Sequence, residues 1–152
     1  MLTVVLMLIG GAPGSTAGGM KTTTAAVLLL TAAAVFRRED DTTVFSRRIG
    51  DGVVRSAAAI LMLYMVLLLT GASAISVLEG LPMTACLFEA ASAIGTVGLT
   101  LGITPQLGAV SRVILIALMF LGRVGGLTVV FAAFSGRKPG RGRMPEEKLT
   151  VG

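Results

Sequence analysis

Two apolar runs of bilayer length, 56–78 and 113–134, bracket a stretch that cannot continue as helix. It reads Phe88-Glu89-Ala90-Ala91-Ser92-Ala93-Ile94-Gly95-Thr96-Val97-Gly98-Leu99-Thr100-Leu101-Gly102. The first half has a helix-forming composition. In the second half Gly95 and Gly98 are costly in a helix, and β-branched Thr96 and Val97 sit between them. Non-helical backbone survives at membrane depth only where it is buried in protein or lines a wet cavity. The expected structure is re-entrant: a short helix dips in, and an extended Thr-Val-Gly segment returns to the same side. The carbonyls of Thr96, Val97 and Gly98 are then placed to replace the water shell of a cation.

The rest of the composition agrees with a membrane setting. Of 152 residues, 54% are hydrophobic and only 14% charged, and the charges cluster outside the apolar runs. The net charge of +5 does not imply a nucleic-acid partner. The basic residues flank spans, where the positive-inside rule puts them. With no His and a single cysteine, Cys86, an internal disulfide, a His-based triad and a His/Cys metal site are all excluded. No enzyme chemistry is expected, and Cys86 reads as a small buried apolar residue.

Residues 1–9 are apolar but too short to span, which takes about 20 residues. They carry no basic region and no small-residue cleavage site of the secretory kind. Residues 10–21 contain five glycines and Pro13, which exclude a regular helix. The uncharged run 22–36 is short for a span, so its helix either starts near Gly18 or is broken. Residues 37–55, with five arginines and four acids, read as a solvated loop. A re-entrant loop does not change sides, so 37–55 and the basic tail 137–143 fall on one face, the cytoplasmic one. Residues 79–82 and 100–112 then face outward. Thr16-Ala17-Gly18-Gly19 can be laid on Thr96-Val97-Gly98-Leu99 as a faint internal repeat, each following a short apolar run and preceding a span.

Arg123 lies within the last apolar run. A mid-membrane arginine costs about 2.5–3.5 kcal/mol on insertion scales, so it must face protein or water. It has either a functional role or a structural one as a fixed partner of Glu89, the acid also expected at membrane depth. The functional reading is favoured, because intramembrane charge defaults to function. Lys21, close to the first glycine-rich segment, pairs with a carbonyl or with Glu89 and is assigned no transport role. Two other classes compete. Gly14 to Thr22 nearly spells the phosphate-binding loop of an NTPase, but Met20 shifts Lys21 one place out of register. Gly14 and Gly18 could instead be a GxxxG contact in a helical membrane assembly protein, against which Pro13 and Gly18-Gly19 argue.

Gly10 through Thr24 closely resembles the third pore loop of the Trk/Ktr/HKT potassium-transporter superfamily, and Phe88 through Gly102 looks like its fourth. Met119-Phe120-Leu121-Gly122-Arg123-Val124-Gly125-Gly126-Leu127-Thr128 is similar to the last inner helix with its buried arginine. Pro145-Glu146-Glu147-Lys148 to Gly152 resembles the C-terminal signature of the Ktr-type membrane subunit. The resemblance implies an all-α membrane fold of channel-like repeats, each an outer helix, pore helix, filter loop and inner helix. It implies filter residues Thr16, Ala17 and Gly18 in one loop and Thr96, Val97 and Gly98 in the other, with Arg123 as the gate. On this reading 1–36 is part of the third repeat, 37–55 a cytoplasmic loop, 56–136 the fourth repeat and 137–152 a cytoplasmic tail. The resemblance further implies plasma-membrane K⁺ transport, sometimes with Na⁺, and no cofactor beyond the transported ion. It implies a homodimer docked on a cytoplasmic nucleotide-binding regulatory subunit. The first two repeats and the third outer helix fall outside these residues, so these residues alone are not expected to conduct.

Overall fold

The computed structural model describes residues 2–15, 17–38, 43–44 and 47–125. Thr16, Asp41, the second half of the run 113–134 and everything read from the tail lie outside the described residues. Five α-helices carry the fold: α1 (Leu2–Ile9), α2 (Thr22–Phe36), α3 (Asp51–Glu79), α4 (Met83–Gly95) and α5 (Ala109–Val124). A 3₁₀ turn, Thr104–Gln106, precedes α5. The loop after α2 holds a two-residue antiparallel pairing, β1 (Thr43–Val44) with β2 (Arg47–Arg48), inside the segment read as solvated loop.

The longest element is α3, and among the described residues it alone is long and apolar enough to cross a bilayer. Its 29 residues extend about 44 Å at 1.5 Å per residue, beyond a hydrocarbon core of about 30 Å. It starts five residues before the uncharged run. Gly50 is extended at the N-cap and Asp51 stands in the first turn, where a negative charge meets the helix dipole favourably. Gly80 stops the helix in the left-handed conformation, φ 64°. Ser76 then donates to the Leu81 carbonyl (2.8 Å), fastening the corner into α4.

The core forms where α3, α5 and α1 all pack on α4. Small residues at Ala90, Ala91, Ser92, Ala93 and Gly95 let these neighbours approach closely, as interfaces between membrane helices require. Tyr64, Leu68, Ala72 and Ile75 of α3 and Leu115 and Leu118 of α5 form one buried cluster with Ile94. Across the opposite faces, Phe36, Val77, Val113, Ile116 and Phe120 are exposed. Such an apolar exterior suits lipid or further membrane helices.

The helix in the expected run over 113–134 begins four residues earlier, at Ala109, and α5 reaches Val124. Glu79 Oε1 accepts from Gly108 N (2.8 Å) and Ser111 Oγ (2.5 Å), satisfying donors at the start of α5 and tying it to the end of α3. At the other end Gly125 takes φ 87° and closes α5 at Val124. The run 22–36 is a single unbroken helix that starts at Thr22, not near Gly18.

Candidate functional site

Both short helices end in glycine-rich loops, and the loops meet. The end of α4 shows why. Thr96 N donates to Ala93 O (3.1 Å) and Val97 N to Ser92 O (3.0 Å), the paired bonds of a helix C-terminus that needs a left-handed residue. That residue is Thr96, φ 51° and ψ 40°, where glycine is the usual choice. A β-branched residue held there costs on the order of 1–3 kcal/mol, and such strain persists only where surrounding contacts impose it. The contact here is with the other loop: Gly18 N donates to Thr96 Oγ1 at 2.8 Å, between residues 78 apart in the chain. Gly18 is buried, and a Cβ on it would lie 2.7 Å from that hydroxyl.

The first loop is folded against α1. Met20 N donates to Leu8 O (3.0 Å) and Thr22 N to Gly11 O (3.1 Å). Gly10 and Gly19 cross so closely that a Cβ on either would strike backbone of the other's segment. Within the loop, Ser15 N donates to Ala12 O (3.0 Å) around Pro13 and Gly14, φ 82°. Proline followed by a left-handed glycine is the signature of a type II turn.

This turn gives a second register beside the four-residue comparison of 16–19 with 96–99. Gly11-Ala12-Pro13-Gly14 has the Gly-x-x-Gly spacing of Gly95-Thr96-Val97-Gly98. Gly14 and Gly98 share nearly the same φ, 82° and 83°, and neither would place a Cβ within 4 Å of another atom. The match is in the Gly-x-x-Gly spacing itself, since the two motifs begin at different distances from their helix ends, Ile9 and Gly95. Ala17 and Gly18 lie at the junction of the two loops. A cleft of about 470 Å³ runs between them, lined by Leu6, Met7, Gly11, Ala17, Thr96 and Val97 among others.

Charged groups brace this region. Glu89 is 4% exposed on α4. Its Oε1 accepts from Thr100 Oγ1 (2.6 Å) and Leu101 N (2.9 Å), and its Oε2 from Thr104 Oγ1 (2.9 Å). The carboxylate thereby holds the leg by which the second loop leaves the site. Of the two partners weighed for Lys21, the carbonyl is the one used. Its ammonium donates to Ala17 O (2.6 Å) and Ser15 O (3.2 Å), not to Glu89. Arg123 stands on the last turn of α5, beside Gly122. Gly122 rests directly on the Ile94 carbonyl, and the Tyr64 hydroxyl donates to the Gly122 carbonyl (3.4 Å).

The competing readings fail on local structure. The segment before Gly14–Lys21 is a helix, α1, where a phosphate-binding loop needs a strand, and Lys21 precedes the next helix instead of opening it. Gly14 and Gly18 are not on a helix, so they cannot form a helix-packing GxxxG face.

Short helices that end in facing glycine-rich loops, set beside a bilayer-length helix, define an all-α membrane protein of the pore-loop class. Residues 1–138 match the family model of TrkH, cation transport protein, and the chain belongs to that family. It is 36% identical to the Ktr system potassium uptake protein B of Bacillus subtilis (strain 168) over 100 residues, 66% of this chain and 22% of that protein. It is 42% identical to the potassium/sodium uptake protein NtpJ of Enterococcus hirae over 84 residues, 51% of this chain and 19% of that protein. The Ktr system potassium uptake protein D of B. subtilis is 35% identical over 100 residues, 66% of this chain and 21% of that protein. The chain thus spans about a fifth of the length of these relatives.

Proposed function

We propose that this chain supplies two loops of the filter through which a plasma-membrane transporter passes K⁺, with Na⁺ as the competing ion. The observation that carries this reading is the Gly18–Thr96 hydrogen bond, which sets two glycine-turned loops side by side at the ends of two short helices. Potassium uptake appears in the names of the relatives above, and NtpJ is named for potassium and sodium. Thr96, Val97 and Gly98 line the path from one loop. The segment from Gly11 through Ser15, with Ala17 and Gly18, lines it from the other. Backbone carbonyls substitute for the ion's water, so the pathway needs no bound cofactor. A ring of carbonyls takes about four such loops, so the other loops come from further repeats or from a second copy. Arg123 is the gate, a fixed positive charge that raises the barrier to cations below the filter. The relatives' designation as Ktr system proteins supports assembly with other subunits, and a cytoplasmic nucleotide-binding regulator is the partner proposed.

The test uses a complete transporter carrying this chain, expressed in a bacterium deficient in K⁺ uptake. Gly98→Ser and Gly14→Ser should each reduce K⁺ uptake relative to Na⁺ uptake at unchanged membrane abundance. Unchanged relative uptake of the two ions in both variants would remove these loops from the filter.

A further inference from the structure

Lys21 occupies a position that sequence preference opposes twice. Its backbone is left-handed, φ 75° and ψ 139°, where L side chains are strained. It also stands at the N-cap of α2, the positive end of the helix dipole, where a cation is disfavoured. Hydrogen bonds on either side, Met20 N to Leu8 O and Thr22 N to Gly11 O, hold the backbone in this state. The side chain then folds back over its own loop, and its ammonium sits on the Ala17 and Ser15 carbonyls. Ser15 directly follows Gly14, the left-handed glycine whose φ matches that of Gly98.

We propose that Lys21 is a specificity-determining positioning residue of the first loop, a tethered cation seated on backbone carbonyls beside the ion path. The proposal rests on the filter reading above. An ammonium is a compact point charge with three donors, able to engage two carbonyls at once. A carbonyl already bonded to it offers a weaker field to a second cation, and the ammonium's own charge repels one. The first loop therefore presents weaker oxygens to a passing ion at Ser15 and Ala17. Lys21 sets that field without touching the ion.

The test compares Lys21→Met, Lys21→Arg and Gly98→Ser in a complete transporter carrying this chain. The readout is the ratio of apparent KM values for K⁺ and Na⁺, with maximum rate and membrane abundance measured alongside. Lys21→Met should change that ratio on the order of tenfold, the scale set by losing a charged hydrogen bond, while the maximum K⁺ rate changes far less. Lys21→Arg keeps charge and donors and should stay near the parent ratio. If Lys21→Met leaves the ratio unchanged while Gly98→Ser alters it, the Lys21 proposal is wrong and the filter reading stands. If neither alters it, the filter reading fails and takes the proposal with it. Should Lys21→Met not accumulate in the membrane, Lys21→Gln, whose amide keeps one hydrogen bond without the charge, decides on the same ratio.

Discussion

The backbone N–H of Gly18 points at the hydroxyl of Thr96, 2.8 Å away, and that hydroxyl belongs to a residue held in a backbone conformation threonine avoids. The strained threonine and the buried glycine form one joint. Thr96→Val keeps the shape and removes the acceptor, leaving a part-buried N–H without its partner at a cost of about 1–3 kcal/mol. The variant should melt at a lower temperature in detergent and lose K⁺ preference over Na⁺, whereas Thr96→Ser should retain both. Equal behaviour of the two variants would show that the hydroxyl is not what joins the loops.

Gly122 allows α5 to lie against the end of α4. A methyl group there meets the Ile94 carbonyl, which is backbone and cannot swing aside. Gly122→Ala should destabilise the protein by about 1–3 kcal/mol, the usual cost of overpacking. Because Ile94 leads directly into the second loop, ion preference should shift together with melting temperature. A stable variant with altered stability-independent ion preference would separate the two effects; one with neither change would show that α5 relaxes away freely.

Glu89 serves three neutral donors on the exit leg of the second loop. Glu89→Gln keeps the size but gives up the charge, and hydrogen bonds to charged groups are worth about 1.5–3 kcal/mol each. Backbone amide exchange around Leu101 and Gly102 should accelerate, while the exchange of α3 stays as in the parent. Unchanged protection at Leu101 would mean the loop holds its shape without the carboxylate.

Arg123 tests the gate. Removing a fixed positive charge from a cation path lowers the barrier, so Arg123→Ala should raise K⁺ flux at parental membrane abundance. Poor insertion and weak expression would instead mark a structural role, and normal expression with unchanged flux would contradict both.

Much of this architecture was legible in the residues. The charge-free run of α3, the Gly80–Pro82 corner and the helix-to-glycine transition after Ile94 each follow from side-chain chemistry that acts locally. What escaped was decided at a distance. The start of α3 at Asp51 could not be read from apolarity, because a helix leaving the bilayer tolerates charge and gains from an acid in its first turn. The stop at Gly125 depended on which of several glycines in α5 and beyond would bend; Gly122 stays helical because α4 presses on it. Matching residue types lays Thr16-Ala17-Gly18 on Thr96-Val97-Gly98, whereas the Gly-x-x-Gly spacing lays Gly14 on Gly98, and these two glycines have nearly the same φ. For Lys21 the sequence offered a carbonyl or Glu89. Only the folded loop, which brings the Ala17 and Ser15 carbonyls within reach of the ammonium, selects the first.

The joint between Gly18 and Thr96 also fixes an order of events during synthesis. When Gly18 is added to the chain, the threonine that will receive its amide is 78 residues from being made. At about 5–20 residues per second that is a wait of several seconds. Throughout that interval the Gly18 amide lacks the hydroxyl that receives it, and an unsatisfied backbone donor at membrane depth is costly. The joint between the two loops is therefore closed only once α4 has been made.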